Sequence, residues 1–517
     1  MTERNNVLYV ILDSVRAENT SLHGYDRETT PFLSAFADRS TVYRQARAPG
    51  IHSIASHVSM FTGAHVEQHQ AMRHTAQIDP ETTIWHELAA DHGYNTGLFT
   101  NNRIVSDASN LADSFDHVHE PDYPLPERLE DTFDDTIFEK AYYRWHDALS
   151  RAGEYTGTAL EKSETAAAAY DGISNQLGAI TDAVTDSDDD ASGYKTLLGT
   201  AFTDAFLEWE RSQSGPWAAC INLMDAHSPY EPESEYDRWA TEDNWHSQSA
   251  KPSIWETLRG HGWADIEALE PLYDGTIRQA DAVVRELVET LEAQGVLSET
   301  LLIVTSDHGE AFGEQSRLNP DLRVRDHKWG IHEVLTHVPL LVSYPDQQEG
   351  RIVDRPVSLT DIPDAMGLAA EDTELPALAD TGELGADDDP LATDEVLAST
   401  FRLPEEKTSK YSSIADIDRY VGPWRAVYEP HDDGVRKYAQ KGEHYLTLDI
   451  DTDGSTTVVS REPNDRVAEA YDGLADGDIL TRESAGDRRQ SRTATGRSRL
   501  HSLAVTGSNQ VFFDSAR

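Results

Sequence analysis

The chain is almost without cysteine, since Cys220 is the one cysteine among 517 residues. A single thiol excludes a disulfide bond within the chain, and it excludes a zinc site built from several cysteines. Cys220 lies in the apolar run Trp217–Leu223. We therefore expect it to be a small core residue of a buried strand.

Long hydrophobic runs are also missing. No apolar stretch approaches the roughly 18 residues that a membrane-spanning helix needs. Residues 1–6 lead directly into a strand pattern without the features of a signal peptide. The sequence therefore predicts a cytoplasmic protein with no membrane span.

Basic residues are few compared with acidic ones. The chain has 43 lysines and arginines against 93 aspartates and glutamates, a formal net charge of −50 at pH 7. The acidic residues occur throughout, so we expect a halophilic protein whose self-repulsion is screened by salt. The alternative is an acidic partner-binding protein, which would more often concentrate its charge in one block. The negative charge argues against nucleic acid as a partner.

The remaining composition is that of a globular protein, with 38% hydrophobic and 26% charged residues. Strand and helix patterns alternate along most of the chain. They predict an α/β fold with a doubly wound, mainly parallel sheet sandwiched by helices. Short apolar runs joined by Gly-containing turns after residue 424 predict a smaller C-terminal antiparallel sheet subdomain.

These patterns also predict domain boundaries. The main domain covers residues 1–370 and includes an acidic helical insert at about residues 120–213. Residues 371–395 are predicted to be an acidic linker, and residues 396–480 a small α+β subdomain. Residues 481–517 contain several arginines and are predicted to be a basic, flexible tail.

Two apolar runs end at side chains that bind metal ions. Residues 7–12 lead to Asp13, and residues 301–305 lead through Ser306 to Asp307 and His308. Ligands of open α/β sheets bind beyond the carboxyl ends of the strands, so we expect these side chains to meet. An isolated Asp-His pair is more often a loop cap. The second strand ending in an aspartate favours a metal-dependent hydrolase or transferase.

A serine at the start of a predicted helix adds a third component. Ser53 follows the loop 48–52 and opens a helical pattern that ends at Gly63. A serine in this position is usually a helix N-cap. A helix N-terminus can also bind anions and lower the pKa of a hydroxyl placed there. The pattern alone leaves both roles open.

Taken in order, these segments resemble the sulfatase family of the alkaline-phosphatase superfamily over residues 6–365. The positions that carry the resemblance are Asp13 with Arg16, His23 to Tyr25, Thr30 to Leu33, Ser53 to Gly63, Gly93 to Thr96, Asp225 to Tyr230, Ser306 to Glu310, His327 with Lys328, Glu333, Val338 to Leu340, and residues 357–362. Several matches in the same order are more specific than any single one. The resemblance implies that the main domain is catalytic.

The chain departs from the family pattern in two segments. Sulfatases carry Cys or Ser followed by x-Pro-Ser-Arg, which a maturation enzyme recognises when it makes formylglycine. This chain has Ala55 and His57 in place of the Pro and the Arg. The family also tends to place a second aspartate after the first, where this chain has Ser14. The pattern thus resembles the sulfatase-like proteins that use a serine or threonine nucleophile.

The resemblance implies one divalent metal ion, Mn²⁺, Mg²⁺ or Ca²⁺, as the cofactor. Its predicted ligands are Asp13, Ser53, Asp307 and His308.

The resemblance also implies catalytic and substrate-binding roles. Ser53 is the predicted nucleophile and His227 the predicted acid for the leaving oxygen, while Lys328 and His327 would neutralise charge on the ester oxygens. The predicted substrate-binding residues are Arg16, His57 and Asn102. Simpler roles also fit the pattern, with His227 a turn residue, Lys328 a solvated lysine and His57 a core histidine.

The reaction chemistry slightly favours phosphate over sulfate esters. A serine that attacks a sulfate ester leaves a stable sulfo-serine, whereas a phosphoserine at a metal can be hydrolysed or passed on. The expected partner is a small-molecule, glycan-linked or lipid-linked sulfate or phosphate ester. One alternative is a formylglycine-type sulfuric ester hydrolase. A second is a non-catalytic acidic binding protein with the same fold.

Overall fold

The computed structural model describes residues 4–72, 76–102, 104–119, 199–252, 254–370, 389, 391–401, 417–432, 434–452, 454–472 and 474. The predicted acidic insert up to residue 198 lies outside these residues. So do most of the predicted linker and the whole predicted basic tail.

In the part of the chain that the structure describes, ten strands precede the C-terminal strands. They are β1 (Asn6–Leu12), β2 (Thr41–Arg47), β3 (Asn95–Thr100), β4 (His117–His119), β5 (Trp217–Leu223), β6 (Thr300–Thr305), β7 (Phe312–Gln315), β8 (Arg323–Arg325), β9 (Leu340–Ser343) and β10 (Arg351–Ser358). Eight of them form one sheet in the order β10-β2-β9-β6-β1-β5-β3-β4, and β7 pairs with β8.

The large sheet is mainly parallel. β1 runs parallel to β5 and β6, β3 runs parallel to β4 and β5, and β2 runs parallel to β10. Among the described strands of this sheet, β9 alone is antiparallel to its neighbours, β2 and β6. The predicted doubly wound, mainly parallel sheet is confirmed.

Helices accompany the strands throughout the described chain. They are α1 (Pro31–Phe36), α2 (Ser53–Thr62), α3 (Val66–His69), α4 (Ile84–His92), α5 (Gly199–Arg211), α6 (Glu242–Ser249), α7 (Ile254–Leu258), α8 (Trp263–Glu267), α9 (Glu270–Gln294), α10 (Glu333–Thr336), α11 (Ile362–Ala370) and α12 (Arg466–Tyr471). None of the helices in the described ranges combines the length and apolar character that crossing a membrane requires.

The two faces of the sheet have separate hydrophobic cores. Tyr9 and Ile11 of β1 pack in one core with residues of α2, α4 and α11. Leu8 and Val10 pack in the other core with residues of α1, α5 and α9. Successive strand residues point to opposite faces, so a strand covered on both faces is apolar at nearly every position. This is why β1 and β6 could be recognised in the sequence.

Two elements are not fully visible in the sequence pattern. The apolar periodicity predicts a long helix over residues 277–294, whereas α9 begins at Glu270, because buried Asp274 interrupts the periodicity of its first turns. Asp274 instead accepts hydrogen bonds from Asn19 and Tyr25, at 2.6 and 3.0 Å. Strand β2 was not predicted at all, because Arg44, Gln45 and Arg47 give it a polar sequence. Arg47 is nevertheless fully buried.

The C-terminal strands form a second sheet, as predicted. They are β11 (Val396–Thr400), β12 (Trp424–His431), β13 (Gly434–Lys441), β14 (His444–Asp451) and β15 (Thr456–Ser460). Each is antiparallel to the next in chain order.

Both sheets belong to one compact unit of the chain. A second unit is described only at residues 417–421, where Ile417–Arg419 form a turn of 3-10 helix. The predicted domain boundaries stay a prediction.

Buried neutral histidines predict that acid destabilises the protein. His65 caps α3, where its Nδ1 accepts a hydrogen bond from the Glu67 N–H at 3.3 Å. Burial lowers the pKa of His65 from 6.5 to about 3. A histidine with a lowered folded-state pKa gains its proton mainly in the unfolded state, so stability is lost as pH falls below about 6.5. From pH 6.5 to pH 5 the loss for this residue is about 2 kcal/mol.

We therefore expect His65→Asn to show a smaller acid effect than the wild type. Asparagine keeps a capping acceptor and does not titrate. Urea unfolding at pH 7 and pH 5, in the same high salt, gives the change in unfolding free energy for both proteins. An equal change in the two would mean that His65 does not titrate on unfolding.

Candidate active site

The carboxyl ends of β1 and β6 bring three potential metal ligands together. The two strands are neighbours, with Ile11 opposite Thr305, and Asp13 and Asp307 lie just beyond their ends. Ligand atoms of Asp13, Asp307 and His308 all lie within 4.8 Å of one another. All three side chains are fully buried.

Ser14 joins the two carboxylates. Its hydroxyl donates to Asp13 Oδ1 at 2.8 Å, and its backbone N–H donates to Asp307 Oδ1 at 3.2 Å. Ser14 has a left-handed backbone conformation with φ of 64°, which is unfavourable for any residue other than glycine. The Tyr273 hydroxyl donates to the Ser14 carbonyl at 2.7 Å and helps to hold this turn. The serine at the family's second aspartate position therefore orients the carboxylates.

The turn after β6 fixes the orientation of His308. The Ser306 hydroxyl accepts from the Val15 N–H at 2.9 Å and donates to the His308 carbonyl at 2.7 Å. His308 Nδ1 lies 2.9 Å from the Gly309 carbonyl, to which it can donate. This contact leaves Nε2 with a lone pair directed at the cluster, where it lies 3.3 Å from Asp307 Oδ2.

Ser53 lies at the start of α2 and next to the cluster. Its hydroxyl oxygen is 3.5 Å from His308 Nε2, and the residue is 5% exposed. His52, rather than Ser53, occupies the N-cap position, so the alternative of Ser53 as a simple helix cap is wrong. All ten residues of α2 are buried, which fixes the position of the hydroxyl at the helix N-terminus.

The electrostatics of the cluster fit a divalent cation. Burial, and then the charge of Asp307, raises the pKa of Asp13. Burial also raises the pKa of Asp307 and lowers that of His308 to about 4. Within the described chain, Asp307 Oδ2 has no hydrogen-bond partner although it is buried. Two buried carboxylates, one with such an oxygen, and a neutral imidazole form a donor set that a divalent cation would satisfy.

Two of the predicted substrate-binding residues support the cluster. The Asn102 amide donates to Asp13 Oδ2 at 2.9 Å. His57 Nδ1 lies 2.9 Å from the Ser53 carbonyl and 3.5 Å from Asp307 Oδ2, and its Nε2 lies 3.1 Å from Asn222 Oδ1. His57 is fully buried and Asn102 almost so. These contacts make both residues supports of the ligands and the nucleophile, and their predicted substrate contacts stay predictions.

Arg16, the third predicted substrate-binding residue, is paired with carboxylates of the protein itself. Its guanidinium forms ion pairs with Glu314 and, at 2.5 Å, with Glu270. It also donates to the Glu310 carbonyl at 3.1 Å. Burial opposes the charge, but the two carboxylates raise the pKa of Arg16. Its predicted substrate contact is not among these interactions and stays a prediction.

Two of the three predicted basic residues lie beside the cluster. The ring centroid of His327 is 4.6 Å from that of His308 and 5.6 Å from that of His227. His227 Nδ1 lies 2.7 Å from the Ser228 carbonyl, which leaves its Nε2 for other partners. Lys328 is half-buried, and its positive charge helps to lower the pKa of Asp326 against the effect of burial. The structure therefore places His227 and His327 next to the potential metal ligands.

Several residues of the site were not predicted from the sequence. Burial, and then the charge of Asp326, raises the pKa of Glu310 to about 8. Lys251 Nζ lies 3.2 Å from Asp326 Oδ1 and donates to Ser228 Oγ at 2.9 Å. Asn222 could have been noticed as the one polar side chain of β5. Lys251 follows no strand and belongs to no motif, so the sequence gave no signal for it.

Comparison with known proteins identifies the family of the chain. The family model described as sulfatase matches residues 5–370. The chain is 24% identical over 268 residues to arylsulfatase K of Danio rerio, which covers 44% of the chain and 49% of that protein. It is 21% identical over 432 residues to the ulvan-active sulfatase of Formosa agariphila, covering 82% of the chain and 71% of that protein. The chain thus spans about half the length of the first of these relatives.

Two solved structures share the fold. One is the phosphonate monoester hydrolase of Agrobacterium radiobacter, with a TM-score of 0.53, 16% identity and coverage of 95% of this chain and 96% of that one. The other is the phosphonate monoester hydrolase of Silicibacter pomeroyi, with a TM-score of 0.53, 16% identity and 96% coverage of both chains. At this identity, the likeness concerns the fold alone.

Proposed function

We propose that this chain, which belongs to the sulfatase family, is an ester hydrolase or transferase that acts on phosphate esters with Ser53 as an unmodified nucleophile. The observation that carries this proposal is the meeting of the Ser53 hydroxyl with the ligand cluster. Its oxygen lies 3.5 Å from His308 Nε2, and that imidazole shares a site with Asp13 and Asp307.

One divalent metal ion would be held by Asp13, Asp307, His308 and Ser53. Such a cation, when bound, lowers the pKa of the serine hydroxyl and neutralises charge on the ester oxygens. Two carboxylates, a hydroxyl and an imidazole suit Mn²⁺, Mg²⁺ or Ca²⁺, and the nitrogen ligand favours Mn²⁺. Ser14, which takes the place of a second aspartate, supports a count of one.

In the first step, Ser53 Oγ, which would have lost its proton to solvent as the alkoxide forms, attacks phosphorus, and the bond between phosphorus and the leaving oxygen breaks. His227 gives a proton from Nε2 to that oxygen, since its Nδ1 faces the Ser228 carbonyl. Lys328 and His327 neutralise charge on the remaining oxygens. In the second step, water or an acceptor alcohol gives its proton to His227 Nε2 and attacks the phosphoserine. The bond between phosphorus and Ser53 Oγ breaks, and the product is free phosphate or a new phosphate ester.

The surroundings of Ser53 support an unmodified serine. The maturation motif requires Pro and Arg where this chain has Ala55 and His57. The imidazole of His57 instead faces the Ser53 carbonyl at 2.9 Å and Asp307 at 3.5 Å. Position 57 is therefore occupied by a residue that holds the nucleophile in place.

A second candidate is sulfate ester hydrolysis with a formylglycine at position 53. The observation that favours it is that the matching family model and both relatives are named sulfatases.

The proposed substrate is a small-molecule, glycan-linked or lipid-linked ester rather than nucleic acid, since the formal net charge is −50. The same charge supports activity in high salt. A cytoplasmic location stays a prediction from the sequence.

The proposal is tested with three 4-nitrophenyl substrates: the phosphate monoester, the bis-aryl phosphate diester and the sulfate. The metal-loaded protein is assayed at high salt, with Asp307→Ala as the control for contaminating activity. We expect faster turnover of at least one phosphate ester than of the sulfate. Turnover of the sulfate alone would support the second candidate. A metal-loaded protein inactive on all three would favour a binding protein with this fold.

A further inference from the structure

The four-residue helix α10 (Glu333–Thr336) lies against three segments of the proposed active site. One segment carries the metal ligands of the β6 turn, one leads to Ser53, and one follows Asp13. Each donates a backbone hydrogen bond to α10 or its C-cap: Gly309 to the Leu335 carbonyl at 3.0 Å, Ala48 to that of Thr336 at 2.8 Å, and Ala17 to that of His337 at 3.0 Å. A shift of α10 would therefore move all three segments of the proposed active site.

The contact with the metal-ligand turn is especially close. A Cβ atom added to Gly309 would lie 2.0 Å from the Val334 carbonyl oxygen and 2.9 Å from Arg16 Cβ. Gly309 directly follows His308, and its own carbonyl faces His308 Nδ1 at 2.9 Å. A shift of α10 would thus be passed to the imidazole through one peptide group.

The C-terminal sheet holds α10 from the other side. Lys437 of β13 donates from Nζ to Glu333 Oε1 at 2.6 Å and also to the Ile331 carbonyl. The Tyr428 hydroxyl of β12 lies 2.8 Å from Thr336 Oγ1. Lys437 and Tyr428 are 1% and 0% exposed, so these contacts are shielded from water.

A buried lysine is unusual in proteins, and this chain has few lysines of any kind. Lysine occurs nine times in the sequence, at positions 140, 162, 195, 251, 328, 407, 410, 437 and 441. Lysine is almost never fully buried unless it is paired. Burial would raise the pKa of Glu333, but the Lys437 charge lowers it to about 2, so the pair is ionised. Each side chain of such a pair is held against the other, because a buried charge without its partner is strongly destabilising.

We propose that Lys437 is a positioning residue for the metal site. The C-terminal sheet holds α10 through the Lys437–Glu333 ion pair, and α10 holds the turn that carries Asp307 and His308. The inference rests on the metal site of the proposed function, but it does not depend on which ester is the substrate.

The test is the affinity of the full chain for Mn²⁺, measured by calorimetric titration at high salt and well below the unfolding temperature. We expect Lys437→Met to weaken Mn²⁺ binding about 5- to 10-fold, which is at or below the lower end of the range for residues that hydrogen-bond a metal ligand directly. Glu333→Gln should act in the same direction. The double variant K437M/E333Q should recover much of the affinity, because it leaves no buried charge without a partner.

Two further variants keep the test decisive. Lys441→Met is the matched control, since Lys441 is on the same strand but packs over the Trp424 ring at 5.4 Å. Its affinity should equal that of the wild type. Tyr428→Phe removes only the hydroxyl that meets Thr336, and should weaken binding several-fold if Lys437→Met does not fold.

Wild-type affinity in folded Lys437→Met, or in Tyr428→Phe where that variant replaces it, would overturn the inference and leave the ion pair a purely structural contact. The variant Asp307→Ala distinguishes a failure of the Lys437 inference from a failure of the proposed metal site. If that variant still binds Mn²⁺, the metal site itself is wrong.

Discussion

Replacing Ser53 with alanine is expected to abolish turnover while the protein stays folded. Removing a catalytic nucleophile costs on the order of 10³- to 10⁶-fold in kcat. The stability effect should be under about 1 kcal/mol, because His52 and not Ser53 is the N-cap of α2. The measurement is kcat on the best aryl phosphate, together with the thermal unfolding midpoint of both proteins.

The same helix offers a matched control. Ser56 is fully buried, and in the described part of the chain its hydroxyl has no hydrogen-bond partner. Ser56→Ala should therefore keep wild-type activity. Ser53→Thr should retain part of the activity, because it keeps a hydroxyl at the same place. A wild-type rate in Ser53→Ala would remove Ser53 from the mechanism.

Asp307→Ala should abolish both metal binding and activity. The substitution removes a ligand and also the acceptor of two backbone hydrogen bonds, from the N–H groups of Ser14 and His308 at 3.2 and 2.9 Å. We expect a loss of activity of at least about 10³-fold, since both the metal ion and the orientation of the nucleophile are lost. Metal content per chain by elemental analysis and kcat are measured on the same preparation.

Asn102→Ala gives a graded comparison. Its amide supports Asp13 through a hydrogen bond of 2.9 Å but belongs to no proposed ligand set. A reduction of about 10- to 100-fold in metal affinity is expected, rather than a complete loss.

Unchanged metal content in Asp307→Ala would show that the metal is bound elsewhere.

The elements that could be predicted from the sequence are those whose environment leaves a local pattern. β1 and β6 are covered on both faces, so they are continuous apolar runs, and the polar residues after them mark the edge of the sheet. Asp13, Asp307 and His308 could be predicted as a cluster for this reason. The N-terminal position of Ser53 on a buried helix was likewise visible.

The remaining features depend on partners that are distant in the sequence. β2 was missed because its polar residues are satisfied by tertiary contacts, such as Arg47 over the Tyr428 ring at 4.9 Å. The role of Ser14 depends on Tyr273 and Asp307, which lie more than 250 residues away. Lys251 and Lys437 have no periodicity or motif around them, and only the folded chain shows the carboxylates that they meet.

The chemical state of residue 53 tests the central claim most directly. Peptide mapping by mass spectrometry is applied to the Ser53 peptide, before and after the protein is quenched during turnover of an aryl phosphate. The expected result is an unmodified serine before turnover and a fraction that carries one phosphoryl group after it. A peptide lighter by about two mass units would mean that the serine has been oxidised to formylglycine. That result would contradict the serine mechanism and assign the protein to sulfate ester hydrolysis.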